Sequence, residues 1–143
     1  MKVSVLIPIY KVEQFIERCV VSLMQQTLED VEYIFVSDAT PDDSMNIVRS
    51  VVSRYPARLD NVKILQHETN KGLPSARNTA LSVAEGEYIF HCDSDDWIES
   101  TMLEDLYNAA KEKDADFVWC DWFLSFASNE RYMTQAEYTT AEE

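Results

Sequence analysis

Val-Ser-Val-Leu-Ile-Pro-Ile at residues 3–9 and Val-Glu-Tyr-Ile-Phe-Val-Ser at residues 31–37 are short, almost continuous apolar and β-branched runs. Runs of this kind mark strands buried on both faces, the condition of a parallel sheet covered by helices on either side. Between them, Val12, Phe15, Ile16, Cys19, Val20 and Leu23 recur at helical spacing through about Gln26, with Glu13, Glu17 and Arg18 on the opposite side. That spacing predicts an amphipathic helix joining the two strands.

The alternation continues. After the second run, Thr40 is placed to cap a helix, Pro41 suits its first turn and Asp43 completes a capping-box spacing, so a helix is expected to about Tyr55 with Ile47, Val48, Val51 and Val52 inward. Val62–His67 reads as a third strand, Ser75–Ala84 as a helix ended by Gly86, and Tyr88–Cys92 as a fourth strand. Glu99–Lys111 reads as a further helix and Phe117–Cys120 as a fifth strand. Strands alternating with helices specify an α/β fold, three layers deep, with a mainly parallel central sheet and right-handed crossovers. After Trp122 both periodicities lapse, and an irregular, poorly packed tail over about 123–143 is expected within a single domain of residues 1–143.

Composition narrows the function. Apolar residues make up 46% and charged residues 27% of the 143 positions, the balance of a globular domain rather than a disordered or fibrous chain. Twelve Lys and Arg against 26 Asp and Glu leave a net charge of −14, which argues against nucleic acid as a partner, since phosphate neutralisation needs clustered cations. The two glycines, Gly72 and Gly86, are too few for a dinucleotide fingerprint or a P-loop. No apolar run approaches the ~18–20 residues of a membrane span, and the opening residues lack a small-residue cleavage site, so a mature, cytoplasmic start is expected. Cys19, Cys92 and Cys120 are odd in number and each set among apolar neighbours, which predicts buried free thiols rather than a disulfide framework or zinc site.

In an open parallel sheet, ligands bind outside the carboxyl ends of the strands. The first strand delivers Pro8 and Tyr10 there, the second Asp38, the fourth Asp93, Asp95 and Asp96, and the fifth Asp121 with Trp122. Three carboxylates within Asp93-Ser-Asp-Asp repel one another unless a cation or solvent screens them. Oxygen donors suit Mn²⁺ or Mg²⁺ held by one or two carboxylates, water and ligand phosphates, and the strand-end position favours that reading over a solvated helix cap. Asp38 can accept a hydrogen bond from a ring N–H of a base or can cap a helix, and Tyr10 offers either a stacking face or half-buried packing. Arg77 and Lys71, within Asn-Lys-Gly-Leu-Pro-Ser-Ala-Arg-Asn at 70–78, are the natural counter-ions for a diphosphate.

Four segments, Val3–Tyr10, Phe35–Ser44, Asn70–Asn78 and Ala84–Trp97, together resemble the family 2 glycosyltransferases in content and order. The resemblance covers about residues 3–122 and implies the GT-A, Rossmann-like fold of nucleotide-diphospho-sugar transferases. It implies that Pro8 and Tyr10 frame the nucleotide base, that Asp38 hydrogen-bonds it, and that Arg77 lies near the nucleotide. The D-x-D of Asp93, Ser94 and Asp95 is implied to contact ribose and, through the metal, the diphosphate, with Asp95 the preferred metal ligand and Glu13 near the nucleoside. Lys11, Ser37, Ala39 and Thr79 depart from the family's usual Asn, Asp, Gly and Gly, which bears on loop shape and nucleotide preference.

Members of that family transfer a sugar with inversion from a nucleotide donor, most often a UDP-sugar, to an acceptor hydroxyl, with a carboxylate base from a later segment. The chain is therefore expected to be the donor-binding half of a longer enzyme, inactive alone. A glycan or lipid-linked acceptor would be met through the other half, at the inner face of a membrane, in cell-surface polysaccharide or glycan synthesis. A non-catalytic nucleotide-sugar-binding module is the alternative. A Mg²⁺-dependent receiver or phosphatase-like domain fits less well, because the first strand ends in Pro8 and Tyr10 without a carboxylate.

Overall fold

The computed structural model describes residues 1–126 and 129–134. Strands β1 (Val3–Ile9), β2 (Val31–Ser37), β3 (Val62–Gln66) and β4 (Tyr88–His91) form one sheet in the order β3-β2-β1-β4. Every pairing in it is parallel, with Val3 opposite both Val31 and Tyr88, and Tyr33 opposite Val62. Helices α1 (Ile16–Met24), α2 (Ser44–Ser53), α3 (Leu73–Leu81) and α4 (Met102–Lys113) and a 3₁₀ turn (Pro56–Asn61) complete the alternating pattern. No described helix is long and apolar enough to cross a membrane.

Strand alternation sorts the core into two layers. Val5, Ile7 and Ile9 of β1 and Tyr33 and Phe35 of β2 pack with Ile16, Val20 and Leu23 of α1 and Val48 and Val51 of α2. The intervening Leu6, Ile34 and Val36 face Ala76 and Ala80 of α3, two small residues that let this helix lie close to the strands. Both faces of β1 and β2 are thus buried, which is why their sequences are almost continuously apolar. Truncating one of these fully buried large side chains to Ala costs ~2–5 kcal/mol.

At the amino-terminal edge a buried polar clip ties the sheet to the α3–β4 loop. Glu32 is 1% exposed; it accepts hydrogen bonds from Ser4 Oγ and the Glu85 N–H and pairs with Lys63 Nζ at 2.8 Å. Burial alone would raise its pKa, but these donors outweigh it and hold the carboxyl below its ordinary value. Gly86 donates its N–H to Ser4 Oγ at 2.7 Å, and a Cβ on it would lie 2.4 Å from the Ser4 backbone nitrogen. Gly86 therefore serves close approach to β1 rather than the end of α3, which stops at Leu81.

Other element boundaries differ for local reasons. Helix α2 begins at Ser44, because Thr40 donates its hydroxyl to Asp42 and accepts the Lys11 N–H instead of capping. Phe117–Cys120 is not a strand. Beyond it, β5 (Trp122–Ser125) and β6 (Glu130–Met133) pair antiparallel as a separate two-stranded sheet, with Phe123 opposite Tyr132 and their rings 5.2 Å apart. The irregular tail is corrected over these residues, and its remainder, 135–143, lies outside the described residues. Cys19 and Cys92 are buried free thiols, whereas Cys120 is exposed. The chain divides into two compact units, Met1–Tyr107 and Asn108–Glu143.

Candidate functional site

The carboxyl ends of β1, β2 and β4 and the start of α3 enclose a cavity of about 400 Å³ within the first unit. Pro8, Ile9, Tyr10 and Val12 line it from β1, Asp38 from β2, Asn70, Gly72, Leu73 and Ala76 from the loop into α3, and Asp93, Ser94 and Asp95 from β4. Tyr10 is 42% exposed and apolar on its faces, as a stacking platform must be.

Asp38 is 3% exposed and thoroughly bonded. Its Oδ1 accepts from His67 Nδ1 at 2.7 Å and from the Lys71 N–H at 2.8 Å, and its Oδ2 accepts from the Gly72 N–H at 2.8 Å. Its own carbonyl receives Asn70 Nδ2 at 3.2 Å. Burial by itself would raise the carboxyl's pKa, yet the His67, Lys71 and Gly72 donors outweigh burial and lower it. Asp38 is thus ionised, an acceptor only, and it fixes the Asn70–Gly72 loop to the end of β2.

Tyr10 is placed by a reciprocal lock between the loops that follow β1 and β2. Lys11 N–H donates to Thr40 Oγ1, Val12 N–H to Ser44 Oγ and Glu13 N–H to Asp42 Oδ2, while Asp43 N–H donates to Glu13 Oε2 at 3.0 Å. The Asp42 carboxyl, despite burial, is held down to about 2 by its hydrogen bonds with Ser44, Thr40 and Glu13. Lys11 and Ala39, at the ends of the two strands, both have positive φ, 52° and 55°. These are two of the positions where the family resemblance expects Asn and Gly, the residues best suited to that conformation.

The acidic turn is charged but supported. Arg77 Nη2 meets Asp93 Oδ1 at 2.8 Å, and Arg77 Nε is buried with no hydrogen-bond partner among the described residues. Ser94 is buried, while Asp93, Asp95 and Asp96 are exposed. The Asp96 carboxyl is pushed up by partial burial and then by the neighbouring Asp95 and Asp93 charges. Helix α1 and Gln26, just beyond its end, hold the segment that follows. The Arg18 guanidinium stacks 3.3 Å from the Trp97 ring centre, Ser22 Oγ accepts the Ile98 N–H, Gln26 bridges the Glu99 carbonyl and the Leu103 N–H, and Cys19 Sγ reaches the Asp93 carbonyl. Among the described residues no three acidic, His or Cys side chains gather into a metal cage. Any ion here would take one or two carboxylates and complete its shell from ligand and water.

Of the residues singled out from sequence, Pro8, Tyr10, Asp38, Asp93, Ser94 and Asp95 share the cavity. Arg77 stands behind Asp93. Lys71 gives its backbone N–H to Asp38 while its side chain lies exposed, and the Glu13 carboxylate is taken up by the Asp43 N–H rather than lining the cavity. Asp121, expected at the same edge, lies in the second unit and accepts from the Tyr132 hydroxyl. The sequence reading missed His67, which directly follows β3 and was open to the strand-end rule applied to the other strands. It also gave no role to Asn70 or Gly72, although both sit in a quoted motif.

The glycosyl transferase family 2 model matches residues 4–142. The uncharacterized glycosyltransferase EpsJ of Bacillus subtilis is 39% identical over 92% of this chain and 37% of its own length. The poly(ribitol-phosphate) beta-glucosyltransferase of Bacillus spizizenii is 41% identical over 81% of this chain and 18% of its own. Among solved structures, S. aureus TarS in complex with UDP-GlcNAc superposes with a TM-score of 0.71 at 36% identity, over 78% of this chain and 32% of that one. The Pyrobaculum calidifontis mannosyltransferase PcManGT in complex with GDP-Man and Mn²⁺ gives 0.68 at 27% identity, over 77% and 31%. The chain spans about a third of EpsJ and less of the glucosyltransferase. With its parallel sheet, strand-end cavity and a match over nearly its whole length, the chain belongs to glycosyltransferase family 2.

Proposed function

We propose that this chain binds the nucleoside diphosphate of a sugar donor, a UDP-sugar first among them, as the donor half of an inverting glycosyltransferase. The observation that carries the reading is the convergence of Tyr10, Asp38, Asp93 and Asp95 on one cavity, with the Arg77 cation on Asp93. Tyr10 stacks the base and Asp38 accepts its ring N–H; Pro8 closes the wall beneath. Asp93 and Ser94 meet the ribose, and Arg77 and Lys71 offset part of the phosphate charge. Glu13 acts by holding the loop that carries Tyr10 rather than by touching the nucleoside.

Asp93 and Asp95 fit Mn²⁺ or Mg²⁺ as hard oxygen donors on the cavity wall, with Asp95 the ligand that has no cation of its own among the described residues. The bound ion would supply positive charge to the diphosphate in the ground state and as it leaves. TarS with UDP-GlcNAc and PcManGT with GDP-Man and Mn²⁺ support this choice of donor class and ion. The acceptor hydroxyl, a glycan's or a lipid-linked sugar's, and the base that deprotonates it are assigned to sequence outside this chain.

Calorimetric titration of UDP, GDP and TDP, each with Mn²⁺ and with chelator, tests the proposal. The expected result is binding of UDP that strengthens markedly with Mn²⁺. Absence of binding for all three nucleotides in both conditions would refute it.

A further inference from the structure

His67 is 7% exposed and sits between two polar side chains: Nδ1 lies 2.7 Å from Asp38 Oδ1 and Nε2 lies 2.8 Å from Thr79 Oγ1. Its backbone N–H extends the sheet by donating to the Ser37 carbonyl at 2.8 Å, so the ring is fixed at both its root and its tip. An ionised Asp38 accepts only, which makes Nδ1 the protonated nitrogen; in the neutral ring Nε2 then accepts the Thr79 hydroxyl proton. A chain of hydrogen bonds runs from α3 through Thr79 and His67 to Asp38.

The acceptor capacity of Asp38 gives this chain a purpose. Oδ1 is filled by His67 and the Lys71 N–H, whereas among the described residues Oδ2 accepts only the Gly72 N–H and keeps one lone pair. With Oδ1 committed on both sides and Oδ2 on one, the carboxylate cannot rotate about its Cβ–Cγ bond without breaking three bonds, and the open lone pair stays on Oδ2. We propose that His67 is a positioning residue for nucleotide recognition: its Nδ1–H, backed by Thr79, holds the Asp38 carboxylate so that Oδ2 presents one open acceptor to the cavity. The inference rests on the donor-site reading above and goes beyond it in assigning a role to His67 and Thr79, neither of which lines the cavity.

Two substitutions separate positioning from packing, because each keeps one of the two ring nitrogens' bonds. His67→Asn leaves an amide N–H near the Nδ1 position and loses Thr79; His67→Gln reaches toward Thr79 and loses the donor to Asp38. Each removes one buried hydrogen bond, so thermal unfolding should fall by similar amounts. Titration of UDP with Mn²⁺ and with chelator is then compared across parent, Asn and Gln chains. The expected result is affinity within about twofold of the parent for His67→Asn and a loss of about tenfold for His67→Gln, the size of one hydrogen bond to a charged group. The Mn²⁺-dependent gain should be the same in all three, since His67 does not touch the acidic turn. Equal losses in Asn and Gln, tracking stability, would overturn the positioning role while leaving the donor site standing. No UDP binding by the parent itself would overturn both.

Discussion

Asp38→Ala sets the structural and the binding roles of one carboxylate against each other. Removing it strips the acceptor from His67 Nδ1–H, the Lys71 N–H and the Gly72 N–H, all within 2.8 Å in the parent. A buried donor left unsatisfied costs ~1–3 kcal/mol. Lys71 is exposed and Gly72 half-buried, so water can reach their loop and the low end applies to these two, giving, with at least ~1 kcal/mol for the buried His67 N–H, a total of at least about 3 kcal/mol. For a chain of this size that corresponds to a fall in Tm of roughly 10 °C. Asp38→Asn is milder, about 1–2 kcal/mol, because the amide oxygen still serves one side of the site while its NH₂ opposes a donor on the other.

The sign of the pH dependence follows from the lowered pKa of Asp38. A carboxyl whose folded pKa is depressed contributes its stability fully above its ordinary value of ~3.9 and loses it as pH falls through the folded value. The gap between parent and Asp38→Asn should close as the pH falls below about 4. Urea unfolding of the three chains from about pH 7 to below about pH 4 is the assay. A loss below about 0.5 kcal/mol in the Ala chain at pH 7 would refute the network's structural weight, and a gap that widens in acid would refute the assignment of charge.

Three further outcomes are expected. Gly86→Ala drives a methyl onto the Ser4 backbone nitrogen at 2.4 Å and should cost at least ~2 kcal/mol in chemical unfolding, with nucleotide affinity intact because the clip lies at the far edge of the sheet. Ala39→Gly relieves a φ of 55° and should raise stability by ~1 kcal/mol, read as a higher urea midpoint at unchanged m. Asp95→Ala should remove the Mn²⁺-dependent gain in UDP affinity while leaving the weaker, metal-free binding in place; an undiminished gain in this chain would assign the ion elsewhere.

The fold was legible where burial on both faces wrote itself into composition. β1 and β2 read as almost continuous apolar runs and fall at the expected residues because every side chain in them is buried. Boundaries failed where a side chain had a local alternative: Thr40 bonds Asp42 and Lys11 instead of capping, which moves the start of α2 to Ser44. The β5–β6 hairpin was illegible because its strands are four residues each, largely exposed and without a glycine turn, so neither burial nor turn chemistry left a signal.

The site divides differently, along the use each carboxylate makes of its lone pairs. Strand-end position correctly gathers Tyr10, Asp38, Asp93 and Asp95 around one cavity, since the parallel sheet sends every such residue to the same edge. Position does not say whether an oxygen there faces a ligand or the protein's own backbone. Glu13 and Asp42 spend their oxygens on N–H groups of the opposing loop. Asp38 spends three acceptor positions on His67, Lys71 and Gly72 and retains one on Oδ2. Asp93 has Arg77, and Asp95 has no cation among the described residues. The groups with spare capacity are therefore Oδ2 of Asp38, after β2, and the Asp95 carboxylate, after β4, with β1 between these two strands in the sheet. An acceptor held by N–H donors suits a base N–H, and a carboxylate with no cation of its own among the described residues suits a metal ion. A nucleoside diphosphate carries both partners, a base and metal-bound phosphates, which is why the proposed ligand is a nucleoside diphosphate rather than a lone phosphate, which would use the acidic turn and leave Tyr10 and Asp38 idle.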